Sequence, residues 1–537
     1  MRPELSPRLE TIILNCLEKD PAARYASARA VADDLRSSAP VVRLGRRVPR
    51  SVLVVSTSLV VIVAALIALN VGGLRSRLLG SGRIESLAVL PLENLSGDPQ
   101  QEFFADGMTE ELINRLAQIR ALRVTSRSSV MAFKGARKTV PEMARRLRVD
   151  AVVEGSVRRV GNRVRIGVQL VRARTDKNLW GSSYERDLGD VFALQSDVAQ
   201  AIAGQIRVTL TPQERTRLVA SRRVDPAAHE EYLKGRFFAG QWTRAGFLKS
   251  LEHFGRAIEI DPRFALAYAG IADAYSGMST TFMAPDSAKS RIEAATAKAL
   301  ELDPELPEPY AARGYVKAFY DWHWREAEMD FKRAIALNPG NSTAHAWYGY
   351  LLAVNGRFDE SIAELATAHE LDPLSTVISS MQLFPLNMGR RDDLAIAAAQ
   401  KMIREDSTAA WNAMGILGQV YVNRREFDKA IEAWRATRRA MRDTTPEVYP
   451  LIQAMQGNRA EALRQLEPWL HGRGGGPYGI AMVYAALGMK DEAFTWLEKD
   501  MKTRVETVIW LKVDPQADPL RSDPRFVVLL RRLGFAS

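Results

Sequence analysis

Residues 51–74, SVLVVSTSLVVIVAALIALNVGGL, form an uncharged run of 24 residues bracketed by Arg50 and Arg75. As a helix the run is about 36 Å long, enough to cross a hydrocarbon core of roughly 30 Å. It lies too deep in the chain, and lacks the short apolar core and small-residue cleavage site, to read as a secretory signal peptide. The pattern therefore predicts a single transmembrane helix, assigned to 51–71. Basic residues cluster upstream at Arg43, Arg46, Arg47 and Arg50, which places the N-terminus inside and the long C-terminal part outside. Ala64, Ala68 and Gly72 stand four apart on this helix, a small-residue stripe that lets a second copy approach and form a homodimer.

Between 84 and 210 the apolar pattern changes. Leu87-Ala88-Val89-Leu90 is a continuous run suited to a strand buried on both faces, and Leu122 to Thr125 reads as a second strand. Phe104, Met108, Leu112 and Leu116 recur at helical spacing, with Asp106 placed to cap the helix start. A second helix is expected over 140–147. Val152 to Val157 runs into Gly161-Asn162, a hairpin turn, and Val164, Ile166, Val168 and Leu170 then alternate with polar residues. A strand over 179–184 and a helix from Val191 to Ile206 close the unit.

From 229 the chain repeats. Asp261-Pro262, Asp303-Pro304, Asn338-Pro339 and Asp372-Pro373 end successive helical segments, with prolines 42, 35 and 34 residues apart. Small residues recur at Ala327, Ser361, Ala395, Ala430, Ala462 and Ala493, where paired helices pack most closely. Gly349 and Gly418 stand where a side chain would hold helices apart. About eight repeats are expected, followed by a folded-back capping segment over 511–537.

Three resemblances attach to these stretches. The first 38 residues, with the pattern L-x-x-I-I-x-x-C-L-x-K-D-P-x-x-R-Y-x-S-A, resemble the last helices of the C-lobe of bacterial serine/threonine protein kinases. In that family the arginine matching Arg24 pairs with the glutamate closing the activation segment, which is absent here. The segments SLAVLPLENLSGDPQQEFFADGMTEELINRLAQI and VDAVVEGSVRRVGNRVRIGVQLVRARTDKNLWGSSYER resemble the TolB-like (FlgO-related) domain. That resemblance implies binding or assembly outside the inner membrane, beside output modules that vary. The 34-residue helix–turn–helix period is that of tetratricopeptide repeats, which stack into a solenoid with an extended binding surface.

The expected architecture is therefore multidomain. It comprises a kinase-like remnant (1–38), a basic linker (39–50), the membrane helix (51–71), a linker (72–83), a TolB-like α/β domain (84–210), a linker (211–228), an all-α repeat array (229–510) and the capping segment (511–537). The expected location is the bacterial inner membrane, single-pass, with the C-terminal domains extracytoplasmic.

Chemistry is sparse. No glycine-rich loop, H-R-D or D-F-G motif precedes the kinase-like helices, so the chain as given is read as no enzyme. Its ancestor or longer parent would be a receptor-type kinase with its catalytic part upstream of Met1. A membrane-bound transcription regulator would need an N-terminal winged helix, which 38 kinase-like residues do not supply. Six histidines show no metal spacing and the lone cysteine, Cys16, has no partner. Asp98, Glu102, Asp106, Glu110 and Glu111 lack the spacing of a calcium loop and read as caps and a solvated face. No cofactor is implied. The net charge of +11 is spread rather than clustered and points to no nucleic acid. Partners are then proteins or peptides, through the repeats at Tyr315, Tyr348, Asn355 and Tyr421, or acidic segments at the hairpin arginines Arg163 and Arg165.

Overall fold

The computed structural model describes residues 83–535, apart from 220–223, 280–281, 284, 406–409, 444–446 and 504–506. The kinase-like segment with Arg24, the span assigned to 51–71 and its stripe of Ala64, Ala68 and Gly72 lie outside the described residues. Among the described residues no helix is long and apolar enough to cross a membrane. The expected architecture is corrected accordingly. What is observed is a small sheet domain joined to a mostly helical array, in place of the expected membrane span and single-pass inner-membrane placement.

The sheet is built around β1 (Ser86–Val89), which lies between β3 (Arg123–Val124) and β4 (Ala151–Val160), parallel to both. The antiparallel strands β5 (Arg163–Arg172) and β6 (Lys177–Asp187) extend it, and β2 (Glu93–Asn94) runs parallel to the far half of β4. β1 is buried along its whole length, as its unbroken apolar run demands. β5 alternates, with Val164, Ile166, Val168 and Leu170 inside and Arg163 and Arg165 outside. Gly161, at φ +56°, makes the turn between β4 and β5.

Helices α1 (Glu102–Ala117) and α4 (Val191–Ile206) pack on each other and against the sheet. The short helices α2 (Arg127–Met131) and α3 (Val140–Leu147) link the parallel strands; Thr139 and Glu142 close a capping box at the start of α3. Residues 211–228, read as a linker, hold a further helix, α5 (Pro212–Val219).

Eight helix pairs follow among the described residues. They are α6 (Pro226–Ala239) with α7 (Arg244–Ile260), α8 (Ala265–Ser279) with α9 (Pro285–Leu302), α10 (Pro307–Phe319) with α11 (Trp324–Leu337), and α12 (Ser342–Val354) with α13 (Phe358–Leu371). In the fifth pair the first helix is split into α14 (Thr376–Met381) and α15 (Phe384–Met388), ahead of α16 (Asp392–Glu405). Pro385 explains the break: it donates no N–H and its ring crowds the carbonyl four residues earlier. The last pairs are α17 (Ala410–Asn423) with α18 (Phe427–Met441), α19 (Pro450–Met455) with α20 (Arg459–Leu470), and α21 (Pro477–Ala486) with α22 (Lys490–Thr503).

The small residues sit where the pairs touch. Ala327, Ser361, Ala395, Ala430, Ala462 and Ala493 are all buried. A β-carbon added at Gly349 would stand 2.7 Å from Leu365 Cγ, and one at Gly418 2.3 Å from Trp434 Nε1.

The C-terminal stretch folds into two 3-10 turns (Val508–Lys512 and Pro515–Leu520) and α23 (Pro524–Arg532). It packs on the last pair, where Tyr478 donates to Asp514 at 2.8 Å. It also reaches the middle of the array: Trp510 stacks on Phe384 and donates to the Tyr350 hydroxyl, and Trp324 stacks on Phe535.

Candidate functional site

The sheet domain is seated on one edge of the array, the edge formed where the second helix of each pair turns into the first helix of the next. Those turns carry the recurring Asp-Pro and Asn-Pro dipeptides. At the turn after α9, Arg217 of α5 pairs with Glu305 at 3.0 Å. At the turn after α11, the Gly340 N–H donates to the Ala117 carbonyl at 3.0 Å, and Arg217 reaches the Leu337 carbonyl. At the turn after α13, the Ser126 N–H donates to Leu371, Arg123 donates to the Glu370 carbonyl, and the Ser128 and Ser129 hydroxyls donate to the Asp372 carboxylate. Three consecutive turns thus hold one folded domain.

A buried charge network forms the other half of the junction, between α1 and α6. Glu110 is 5% exposed and accepts from the Arg236 guanidinium, which also donates to Asp273 at 3.0 Å; Arg127 adds a second cation at 3.1 Å from Glu110. Burial raises the Glu110 pKa, but Arg236 and Arg127 outweigh it and hold the carboxylate below its usual range. The neighbouring Glu111, 7% exposed, is moved the other way by burial, with the Tyr232 hydroxyl 3.4 Å from it. Arg159 leaves the hairpin face to meet Glu230 at 2.8 Å.

Beside this network lies a cavity of about 210 Å³, lined by Glu111, Arg115, Tyr232, Arg236 and Glu308, with Phe192, Phe264 and Leu266 as an apolar wall. Two polar atoms of its lining residues are themselves enclosed and have no hydrogen-bond partner: Glu308 Oε2 and Arg115 Nε. Burial, with Asp273 close by, pushes Glu308 up to about 7. His229, on the same helix as Tyr232, is buried against Phe192 with neither ring nitrogen hydrogen-bonded, and burial lowers its pKa to about 3. Among the described residues no cluster of three or more histidine, cysteine or acidic side chains could hold a metal ion.

The residues singled out from the sequence are not brought together. Tyr315 is 2% exposed, enclosed by Phe319, Tyr320 and Trp347. Tyr348 is 5% exposed and donates to Glu328 at 2.9 Å. Both rings are packing residues rather than an open lining. Asn355 donates to the Leu351 carbonyl at the end of α12, and its own carbonyl accepts from Lys512. Tyr421 is half-buried under Lys429. Arg163 and Arg165 are exposed on β5, paired with Glu185 at 2.8 Å and Ser183 at 2.9 Å.

The acidic residues of α1 need correction. Asp106, Glu110 and Glu111 are not a solvated face, because α1 is enclosed by the sheet on one side and α6 on the other. Nor does Asp106 cap the helix. It lies in the second turn, held by Lys134 at 2.6 Å, while Asp98 caps the preceding 3-10 turn. Glu111, Arg115, Tyr232, Arg236 and Glu308 were not legible as a site, since they come from helices far apart along the chain, with Tyr232 121 residues from Glu111 and Arg236 126 from Glu110.

Comparison with known proteins follows the same division. Residues 83–201 match the family described as the HilA/YgeH-like transcriptional regulator, second domain. The chain is 39% identical over 187 residues to the putative adenylate cyclase 3 of Rhizobium meliloti (strain 1021), covering 35% of this chain and 32% of that protein. It is 22% identical over 143 residues to the transcriptional regulator HilA of Salmonella typhimurium, covering 26% of each. The chain thus spans about a third or less of these relatives. Among solved structures, YrrB, a TPR protein with an unusual peptide-binding site, aligns over 36% of this chain and 95% of its own, at 22% identity and a TM-score of 0.27. That score is low, and the repeat assignment rests on the 34-residue period and the eight helix pairs.

Proposed function

We propose that this chain is a non-catalytic docking scaffold, in which the turn edge of the repeat array holds folded protein: its own sheet domain through the first repeats, and a partner further along. The sheet domain is read as a TolB-like binding module presented by the array. One observation carries the reading. The edge that seats the sheet domain at 303–307, 338–340 and 370–374 continues into the following repeats, where Val377, Trp411 and Met441 are exposed. Val377 and Trp411 stand 34 residues apart at the starts of successive first helices, bridged by Asn412 donating to Ser380. Met441 ends the helix paired with that of Trp411. Exposed large apolar side chains at register positions of one edge mark a contact surface better than scattered ones do.

The test is photocrosslinking in cells with the full chain. A crosslinking residue at 377 or 441 should give a discrete protein adduct that Trp411→Asp abolishes. Adducts equal in kind from position 464, an exposed arginine on a second helix, or none from 377 and 441, would contradict the reading.

A further inference from the structure

β6 is the last strand of the sheet, whose order runs β3-β1-β4-β5-β6, and among the described residues no strand lies along its outer side. One bond tells which of its backbone groups face outward. The Leu188 N–H donates to the Asn162 carbonyl at 2.8 Å, and these two stand opposite in the register that pairs Arg163 with Asp187. In an antiparallel ladder, opposite residues that exchange bonds alternate with opposite residues that do not. Ser182, Tyr184 and Arg186 therefore bond to β5, while Gly181, Ser183, Glu185 and Asp187 turn their N–H and carbonyl groups to the free edge. One of these, the Glu185 carbonyl, is taken by the Arg186 guanidinium at 3.2 Å.

Sheets guard such an edge with charge, proline or bulges, because its open backbone accepts another strand. β6 holds no proline, and its middle, Gly181-Ser182-Ser183, is small and uncharged. Its register shift against β5 lies near Leu179, away from that middle. The charges stand at the ends and differ in sign: Lys177 at one, Glu185 and Asp187 at the other. Glu185 is already paired with Arg163, whereas Lys177 and Asp187 are exposed and Asp187 caps nothing. Trp180 and Tyr184 stand opposite the buried Leu170 and Ile166, so both half-buried rings share the face that α4 covers.

These features match one another when the strand is turned upon itself. A second β6 laid antiparallel, with Ser182 on the two-fold axis, brings each Lys177 to an Asp187 and each Trp180 to a Tyr184. It also sets the outward groups of Gly181 against those of Ser183. Sliding by two residues is the next register in which outward groups still face one another. That shift puts Trp180 beside Ser182 or Arg186 and takes Asp187 from Lys177, leaving it at best Glu185. A two-fold contact has to complement itself, and directly opposed aromatic and opposite-charge pairs are what stabilise neighbouring strands.

We propose that the outer edge of β6 is the contact between two copies of this chain, an antiparallel pairing centred on Ser182 that joins two sheets into one. The contact lies on the sheet domain, apart from the turn edge at 377 and 441.

The test uses the full chain with Cys16, its one cysteine, replaced by serine and a single cysteine placed at 182. Across the axis the two 182 positions form a non-hydrogen-bonded pair, with α-carbons about 4.5 Å apart, within the span of a disulfide. Mild oxidation should give a covalent dimer at least about tenfold faster than a cysteine at the exposed position 165, one strand further in. Ser183→Pro removes an outward N–H and no bond to β5, and should slow crosslinking at 182 about tenfold. Lys177→Asp should slow it likewise, and adding Asp187→Lys should restore it; this pair decides the matter if the proline variant fails to fold. Crosslinking at 182 no faster than at 165 overturns the proposal. So does a 182 dimer that the folded variants leave unchanged, or, on oxidation in cells, a 182 cysteine joined to a different protein. None of these results touches the crosslinking test at 377 and 441, and distances within one chain stay measurable after dilution with unlabelled chain.

Discussion

Glu110 and Arg236 illustrate why a buried charge is retained only in company. The carboxylate is taken from water by α6 and is kept ionised by two guanidinium groups. Arg236→Met leaves Glu110 enclosed with Arg127 alone, and removing one partner of a buried pair costs about 3 kcal/mol. Urea unfolding should show that loss, and Glu110→Gln combined with Arg236→Met should restore part of it. Glu308 makes the opposite prediction in pH. Its folded pKa, about 7, lies above the ordinary glutamate value, so the folded state binds the proton more tightly than the unfolded one. Its contribution to stability is present below about pH 4.5 and is lost as pH rises through 7. Glu308→Gln should flatten the thermal midpoint across that window; an unchanged slope would show that the group does not titrate there.

Helix pairs obey simpler rules, and these were the most legible part of the chain. The Asp-Pro and Asn-Pro turns and the small residues at 327, 361, 395, 430, 462 and 493 gave the register because each position answers to a local constraint: a helix stop, or a close contact with the partner helix. Gly418 tests that contact. Glycine costs a helix about 1 kcal/mol relative to alanine, yet a methyl group there would meet the Trp434 ring at 2.3 Å. Gly418→Ala should therefore destabilise, by about 1–3 kcal/mol. Gly255→Ala, with nothing within 4 Å of the added carbon, should stabilise by about 0.5–1 kcal/mol. Paired thermal melts decide it. The acidic residues of α1 could not be read this way. A carboxylate at helical spacing looks the same whether water or Arg236 faces it, and the partner's position is a tertiary fact. Tyr315 and Tyr348 could not be assigned a face for the mirror reason: aromatic residues on first helices serve the core between pairs as readily as an outer surface.

At the scale of the whole molecule, the periodic turns do two jobs. They stop the helices, and at three successive repeats they offer backbone and carboxylate groups to the sheet domain. Asp372 is the most loaded of these, accepting from both Ser128 and Ser129. Asp372→Ala should speed amide exchange at 123–131 and 370–374 while leaving β4 and β5 protected, because the sheet's own ladder does not pass through that turn. The same exchange pattern over the entire sheet domain would mean that the domain depends on the array to fold. The sheet domain and the array are one body joined along the turn edge. Spin labels at 163 and 464, in a full chain with Cys16 replaced by serine, measure that by double electron–electron resonance. A single narrow distance distribution that broadens on Asp372→Ala combined with Arg236→Met is the expected result; a broad distribution in the parent chain would contradict it.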